Sequence, residues 1–248
     1  MEEGQGMLYE DMTWEEIGRV DKERAVIVLP TGCLEGHGLH LPLGTDAKVA
    51  FEICRRAAEE MEEVLILPPL YYASVTATLK YPGGIRLKPS TICQLLCDIC
   101  ESLSLHGFKK LLIYDAHGGN REPIMAAAKE VAARGIPLRL FYLFALEGLS
   151  ELIDEIRESD IWGHACEIET SVALALFPQL VRMGRAKPGR TEYPTKFAKL
   201  VGLDWTEVNP TAVVGDPSKA TKEKGERLVE AAVLRLKEAL RELLELKP

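Results

Sequence analysis

Short apolar runs of strand length alternate along this chain with stretches whose apolar residues recur every three or four positions. AVIVLPTG (25–32) is an almost unbroken apolar run, and it predicts a strand buried on both faces. Residues 45–62 follow with Ala50, Ile53, Cys54 and Ala57 on one side of a helix. VLILPPL (64–70) predicts a second strand, and the Gly/Pro-rich stretch KYPGGIRLKPS predicts a loop. A helix over 90–106, the strand KKLLIYDA (109–116), a helix over 121–134 and the strand PLRLFYLFAL (137–146) complete the series. Repeated strand-then-helix units imply an α/β fold with a mainly parallel sheet covered by helices on both faces.

The periodicity turns helical again over 164–177, is lost in the Pro-rich stretch 178–217, and returns over 218–246 as a charged amphipathic helix with repeated leucines. That last helix has two readings, packing on its own sheet or forming a subunit interface. No internal repeat or linker divides the chain, so residues 1–248 are expected to form one domain, near the upper end of normal domain size. With 47% hydrophobic residues there is ample material for a core.

Charge and composition narrow the function. A net charge of −8 and a pI near 5.3 give no basic face for nucleic acid or an anionic membrane, which points to a small soluble substrate. The acidic start MEEGQGMLYEDMTWEE lacks the features of a secretory leader, and no apolar run reaches the roughly eighteen residues that cross a bilayer, so a cytoplasmic location is expected. Six cysteines, at 33, 54, 93, 97, 100 and 166, are then expected to be buried thiols. Cys93, Cys97 and Cys100 share a helical face that suits an apolar stripe better than a metal cluster.

The histidines carry the chemistry. Only five exist, and four lie in Gly-flanked segments: His37 and His40 in TGCLEGHGLHLPLGTD (31–46), His117 in DAHGGN, and His164 in GHACEIET. Two of these segments follow a predicted strand directly, where the loops of an open parallel sheet collect ligands. Singly, Glu35 or Asp46 is a turn or cap residue and His37 a hydrogen-bonded structural one. Together, Glu35, His37, Asp46, His117 and an acidic helix that begins at His164 make a hard N/O ligand set suited to Zn²⁺, Mn²⁺ or Fe²⁺, with room for two ions sharing a carboxylate. In DAHGGN, Gly118 and Gly119 allow close backbone approach, and Asn120 is a candidate N-cap. Donors at that helix start are expected to receive a substrate's anionic or carbonyl group.

These segments resemble the creatininase, or creatinine amidohydrolase, family. The family's E-x-H-G-x-H-L-P-x-x-x-D loop corresponds to Glu35–Asp46, and its strand-end H-G-G-N or H-x-E-N to His117–Asn120. Its H-A-G-E-x-E-T-S corresponds to HACEIETS (164–171), its PGG-type loop to Tyr81–Ile85, and its late G-x-x-x-x-A-x-x-x-K-G to Gly215–Gly225. The resemblance implies a three-layer α/β/α sandwich and a two-metal amidohydrolase, generally a homo-oligomer such as a hexamer or another multiple of dimers. It assigns Glu35, Asp46 and His117 to one metal, and His37 with Asp46 as bridge to the other. Where H-x-E-N offers a Glu to the second metal, this chain has Gly119. Relatives with HGGN carry instead a Glu three residues after the later His, so the resemblance implies Glu167 as the replacement; on a helix starting near 164 it would share a face with His164. Glu169 would then point elsewhere, toward backbone or a nearby cation.

The mechanism implied is attack by a metal-activated water on an amide carbonyl, with His164 moving the proton to the leaving nitrogen. His40 is expected to orient a ligand or close the loop. Lys80, beside the Tyr-Pro-Gly loop, is a candidate for a phosphate or carboxylate of the substrate, as in the branch of the family that deformylates a ribosylaminopyrimidine phosphate; otherwise it is a solvated surface lysine. Other members trim a peptide from a redox-cofactor precursor, so the motifs leave the amide open. A non-catalytic metal-binding protein of the same fold and a two-metal phosphoester hydrolase are the rival readings.

Overall fold

The computed structural model describes residues 7–190 and 204–247. Its sheet has five parallel strands: β1 (Met7–Leu8), β2 (Val26–Thr31), β3 (Val64–Ile66), β4 (Lys110–Asp115) and β5 (Arg139–Phe144), in the spatial order β1-β3-β2-β4-β5. Seven helices are described: α1 (Trp14–Arg19), α2 (Thr45–Ala57), α3 (Pro89–Leu105), α4 (Arg121–Ala133), α5 (Ser150–Ile156), α6 (Glu167–Leu176) and α7 (Lys222–Glu245).

Because successive residues of a strand face opposite sides, the continuous apolar runs feed two cores. Val26, Val28, Leu112 and Tyr114 face a layer built from α2, α5, α6 and α7, while Ile27, Leu29, Leu111 and Ile113 face α3 and α4. This is the expected three-layer α/β/α sandwich. The long helix α7 packs on its own sheet through Leu228, Val229, Ala232, Leu236 and Leu240, as the first of its two readings has it. Cys97 and Cys100 are buried in the α3/α4 core with Cys93 against it, so the stripe is apolar packing, and all six thiols are free.

Several element bounds differ from the sequence pattern for local reasons. β3 ends at Ile66 because Pro68 and Pro69 have no N–H to donate. The helix expected from 164 starts at Glu167, since Ala165 has φ of +48° and Cys166, the N-cap, is extended. α7 starts at Lys222 rather than 218, where the Thr221 side chain accepts a hydrogen bond from the Lys224 amide. β1, α1 and α5 are too short to show in the periodicity. Of the Pro-rich stretch 178–217, residues 191–203 lie outside the described residues, and the remainder is irregular with short 3-10 turns.

Topology places the site. From β2 the chain moves through α2 to β3 on one side, then returns through α3 to β4 on the other side of β2. The order therefore reverses at β2, and the carboxyl ends of β2 and β4 open a crevice between loops that diverge from neighbouring strands. Thr31 and Asp115 are register partners there, and the Thr31 hydroxyl donates to Asp115 Oδ1 at 2.8 Å. The opening loop (32–44) and the HGGN turn leave from these two residues, which is why segments seventy residues apart meet.

Candidate active site

Glu35, His37, Asp46 and His117 converge at this crevice and are all buried. Asp46 sits in the first turn of α2, and the opening loop folds back so that His37 Nε2 lies 2.8 Å from Asp46 Oδ1. From β4, His117 Nδ1 lies 3.1 Å from Glu35 Oε1 and 3.2 Å from Asp46 Oδ2. Potential ligand atoms of Cys33, Glu35, Asp46 and His117 lie within 4.8 Å of one another, and those of Glu35, His37 and His164 form a second such group sharing Glu35.

The imidazoles are oriented in one consistent way. His37 Nδ1 faces the Glu35 carbonyl at 3.2 Å, His117 Nε2 the Ser74 carbonyl at 3.1 Å, and His164 Nε2 the Gly36 carbonyl at 2.7 Å. A carbonyl only accepts, so each of those nitrogens carries the hydrogen and the opposite nitrogen turns toward the carboxylates. A lone pair aimed at a carboxylate is stable only with a cation or proton between them, and a carbonyl-held imidazole is the usual setting of a metal-binding histidine. The donor set thus fits a divalent cation of zinc or manganese type.

The electrostatics agree. Burial alone would push the Glu35 carboxyl up, but His117 and the other imidazoles bring it down to about 2. Asp46 is likewise held well below the carboxylate range. Burial depresses the His37 ring, yet Asp46 raises it to about 10, and Glu35 with Asp46 holds His117 well above its ordinary value. Protons on these imidazoles offset the two anions as a bound cation would. The Thr78 hydroxyl donates to Glu35 Oε2, and the Cys33 thiol to Asp46 Oδ2 at 3.2 Å. Burial and the Asp46 and Glu35 charges raise the Cys33 pKa well above the ordinary thiol value, so it remains a donor.

His164 borders the same site, its Nδ1 3.7 Å from Glu35 Oε1 and its ring 4.4 Å from that of His37. Burial and the neighbouring His37 lower its pKa. Trp205 meets its ring edge-on at 5.5 Å. A cavity of about 640 Å³ opens onto these groups, and Glu35, Asp46, Glu169, His117, His164, Trp205 and Phe144 are among its lining residues.

A family model described as creatininase, creatinine amidohydrolase, matches residues 10–240. The chain belongs to the creatininase family. It is accordingly an amidohydrolase. It is 28% identical to creatinine amidohydrolase of Pseudomonas putida over 94% of this chain and 95% of that protein. It is also 29% identical to the mycofactocin precursor peptide peptidase of Mycobacterium tuberculosis over 84% of this chain and 81% of that one. The solved structure of a creatininase mutant described as the Zn-Zn type superposes with a TM-score of 0.84 at 26% identity, covering 96% of this chain and 98% of that chain.

Against the creatininase pattern, four expectations from sequence need correction, those for Glu167, Glu169, Lys80 and Asn120. Glu167 does not face the crevice: its carboxylate accepts from the Glu158 amide at 3.0 Å, from the Ser159 amide at 2.8 Å and hydroxyl at 2.5 Å, and from Lys224 Nζ at 2.6 Å. The reason is the late start of α6, which puts His164 in the preceding loop and removes the helical i, i+3 relation. Glu169 turns into the site instead, accepting from the Ala165 amide at 2.5 Å and bordering the cavity beside Asp46. Burial and the Asp46 charge raise its carboxyl to about 7.

Lys80 is exposed and pairs with Asp204 Oδ2 at 2.6 Å, so it answers to its surface reading. Asn120 is a brace rather than a cap or a substrate donor. Its amide nitrogen donates to the Gly32 carbonyl at 3.1 Å and to Asp115 Oδ1 at 3.0 Å, and its oxygen accepts from the Ser74 amide at 3.3 Å. Gly118 and Gly119 do line the cavity. At Gly119 a Cβ would come within 2.4 Å of both His117 Nε2 and the Ser74 oxygen, so this backbone has no room for the Glu of H-x-E-N. His40 is buried with Nε2 2.8 Å from the Thr170 hydroxyl and closes the loop onto α6. Cys33, Thr78, Glu169, Phe144 and Trp205 were not singled out from the sequence as site residues; only the acidic HACEIET pattern held a signal for one of them.

Proposed function

We propose that this chain hydrolyses a small-molecule amide with two divalent metal ions, one held by Glu35, Asp46 and His117 and the other by His37, Asp46 and Glu169. The observation that carries this is the common orientation of three imidazoles, each fixed by a backbone carbonyl with its other nitrogen toward a buried carboxylate. When bound, such ions acidify a water and polarise the substrate carbonyl.

The chain's own residues do the rest. Asp46 presents one oxygen to His37 and the other to His117, the disposition a bridging carboxylate requires. Cys33 and Thr78 hold the Asp46 and Glu35 carboxylates by donating to them, so neither reorients. His164, with Nε2–H tied to Gly36, offers Nδ1 as a base, and its lowered pKa keeps it neutral and ready to take a proton at neutral pH. It then returns that proton to the departing nitrogen, which prevents expulsion of an amide anion. Trp205 backs the His164 ring and restricts its swing.

The test is metal analysis of the purified protein together with an assay of formamide, creatinine and short peptide amides, with and without chelator. Chelator-sensitive hydrolysis and about two ions per chain are expected. Full metal occupancy without hydrolysis of any amide would favour a non-catalytic metal-binding protein of this fold.

A further inference from the structure

The cavity of about 640 Å³ is within the range of small-molecule sites and far larger than a two-ion centre and its water need. Its described lining holds the carboxylates of Glu35, Asp46 and Glu169, which are candidate metal ligands, and of Glu122 on α4. Histidines apart, one basic side chain lines it among the described residues, Arg121, the first residue of α4 directly after the HGGN turn. Arg121 is exposed and has no ion pair or hydrogen bond among the described residues, whereas Lys80, the cation expected beside the Tyr-Pro-Gly loop, is taken by Asp204. Glu122 does not neutralise Arg121, since adjacent helical residues diverge around the axis. An unpaired guanidinium beside a cavity presents five donors in a planar fork matched to an oxyanion.

We infer that Arg121 determines specificity by receiving a carboxylate or phosphate group of the substrate, so that the enzyme acts on anionic amides in preference to neutral ones. This rests on the amidohydrolase reading for where the scissile amide sits, and it deepens that reading by naming the substrate class. Arg121, Glu122, Gly118 and Gly119 line the cavity as exposed residues, whereas Glu35, His37, Asp46 and His117 are buried. A substrate held at both places would carry its anion at one end and its amide at the other. Arg121 supplies positive charge where, apart from the candidate metal ligands, the carboxylate among the described lining residues is Glu122, and so favours a negatively charged molecule there.

The test uses metal-loaded protein and three probes of one shape: N-formylglycine, its neutral amide N-formylglycinamide, and (formylamino)methylphosphonate. Dissociation constants are measured by calorimetry at fixed ionic strength for the wild type, Arg121→Gln and Arg121→Lys, with metal content and melting temperature followed in parallel. The expected result is that the wild type binds at least one anionic probe about tenfold tighter than the neutral one. Arg121→Gln should bring that ratio within about twofold at unchanged metal content, and Arg121→Lys should retain part of it. Whichever of the carboxylate and phosphonate binds more tightly identifies the oxyanion. No preference in the wild type, or a preference that survives Arg121→Gln, overturns the inference, the latter because the anion would then sit on the metals. Formate release is scored separately. Anion preference without formate release refutes the small-molecule amide reading and leaves Arg121 assigned, whereas formate release without anion preference does the reverse.

Discussion

Glu167 separates a structural carboxylate from a metal-binding one, and Glu167→Ala makes the separation measurable. The side chain is fully buried and accepts two backbone amides, the Ser159 hydroxyl and Lys224 Nζ. Removing one partner of a buried ion pair costs about 3–5 kcal/mol, because the remaining charge stays desolvated. Here Lys224 keeps the Glu158 carboxylate at 2.6 Å and the Lys219 carbonyl at 3.0 Å, which puts the pair itself near the lower end, about 3 kcal/mol. The Ser159 amide and hydroxyl lose their acceptor in a buried place, adding about 1 kcal/mol or more. The sum, about 4 kcal/mol, corresponds to a melting-temperature drop of roughly 8–15 °C in a protein of this size. Calorimetry of the metal-loaded protein checks the stability and elemental analysis the metal content, which should equal that of the wild type. A Glu167→Ala protein that melts like the wild type but has lost metal would refute the assignment and restore Glu167 as a ligand.

Four further outcomes follow from the same geometry. Glu169→Gln should lower the bound metal to about one ion per chain, checked by elemental analysis after dialysis, with little change in the melting temperature of the metal-free protein. His164→Ala should retain its metal and lose on the order of 10²-fold in turnover; loss of metal would instead make His164 a ligand, as its nearness to Glu35 and His37 allows. Cys33→Ala should weaken metal binding about tenfold, measured by competition with a chromophoric chelator, and Cys33→Ser, which keeps a donor toward Asp46, should restore most of it. The pH dependence of Glu167 has a definite sign. Although burial opposes it, hydrogen bonds from Lys224 and Ser159 lower its pKa in the folded state, so its stabilisation is complete above the unfolded value and is lost as pH falls through the folded one. The melting-temperature gap between wild type and Glu167→Ala should therefore be constant near neutrality and narrow below about pH 4.

Much of this protein can be read from its residues. Continuous apolar runs at 25–32 and 109–116 dictated strands buried on both faces, and the helices between them dictated a parallel sheet with two cores. The loops after those strands were legible as the site because glycine, histidine and carboxylate have no packing reason to cluster there. Tertiary structure decided which of the nearby polar residues take part. Glu167 and Glu169 look alike in HACEIET, and only the left-handed backbone at Ala165, which delays α6 to residue 167, sends Glu169 to the crevice and Glu167 to Lys224. Lys80 and Arg121 are both cations near the crevice loops, and only a partner distant in sequence, Asp204, silences one and leaves the other facing the cavity. Sequence pattern sets which residues are buried, since that follows from local periodicity and hydrophobicity. Which way a buried charge points is set by the nearest opposite charge or donor, and those come from segments that meet only once the chain has folded.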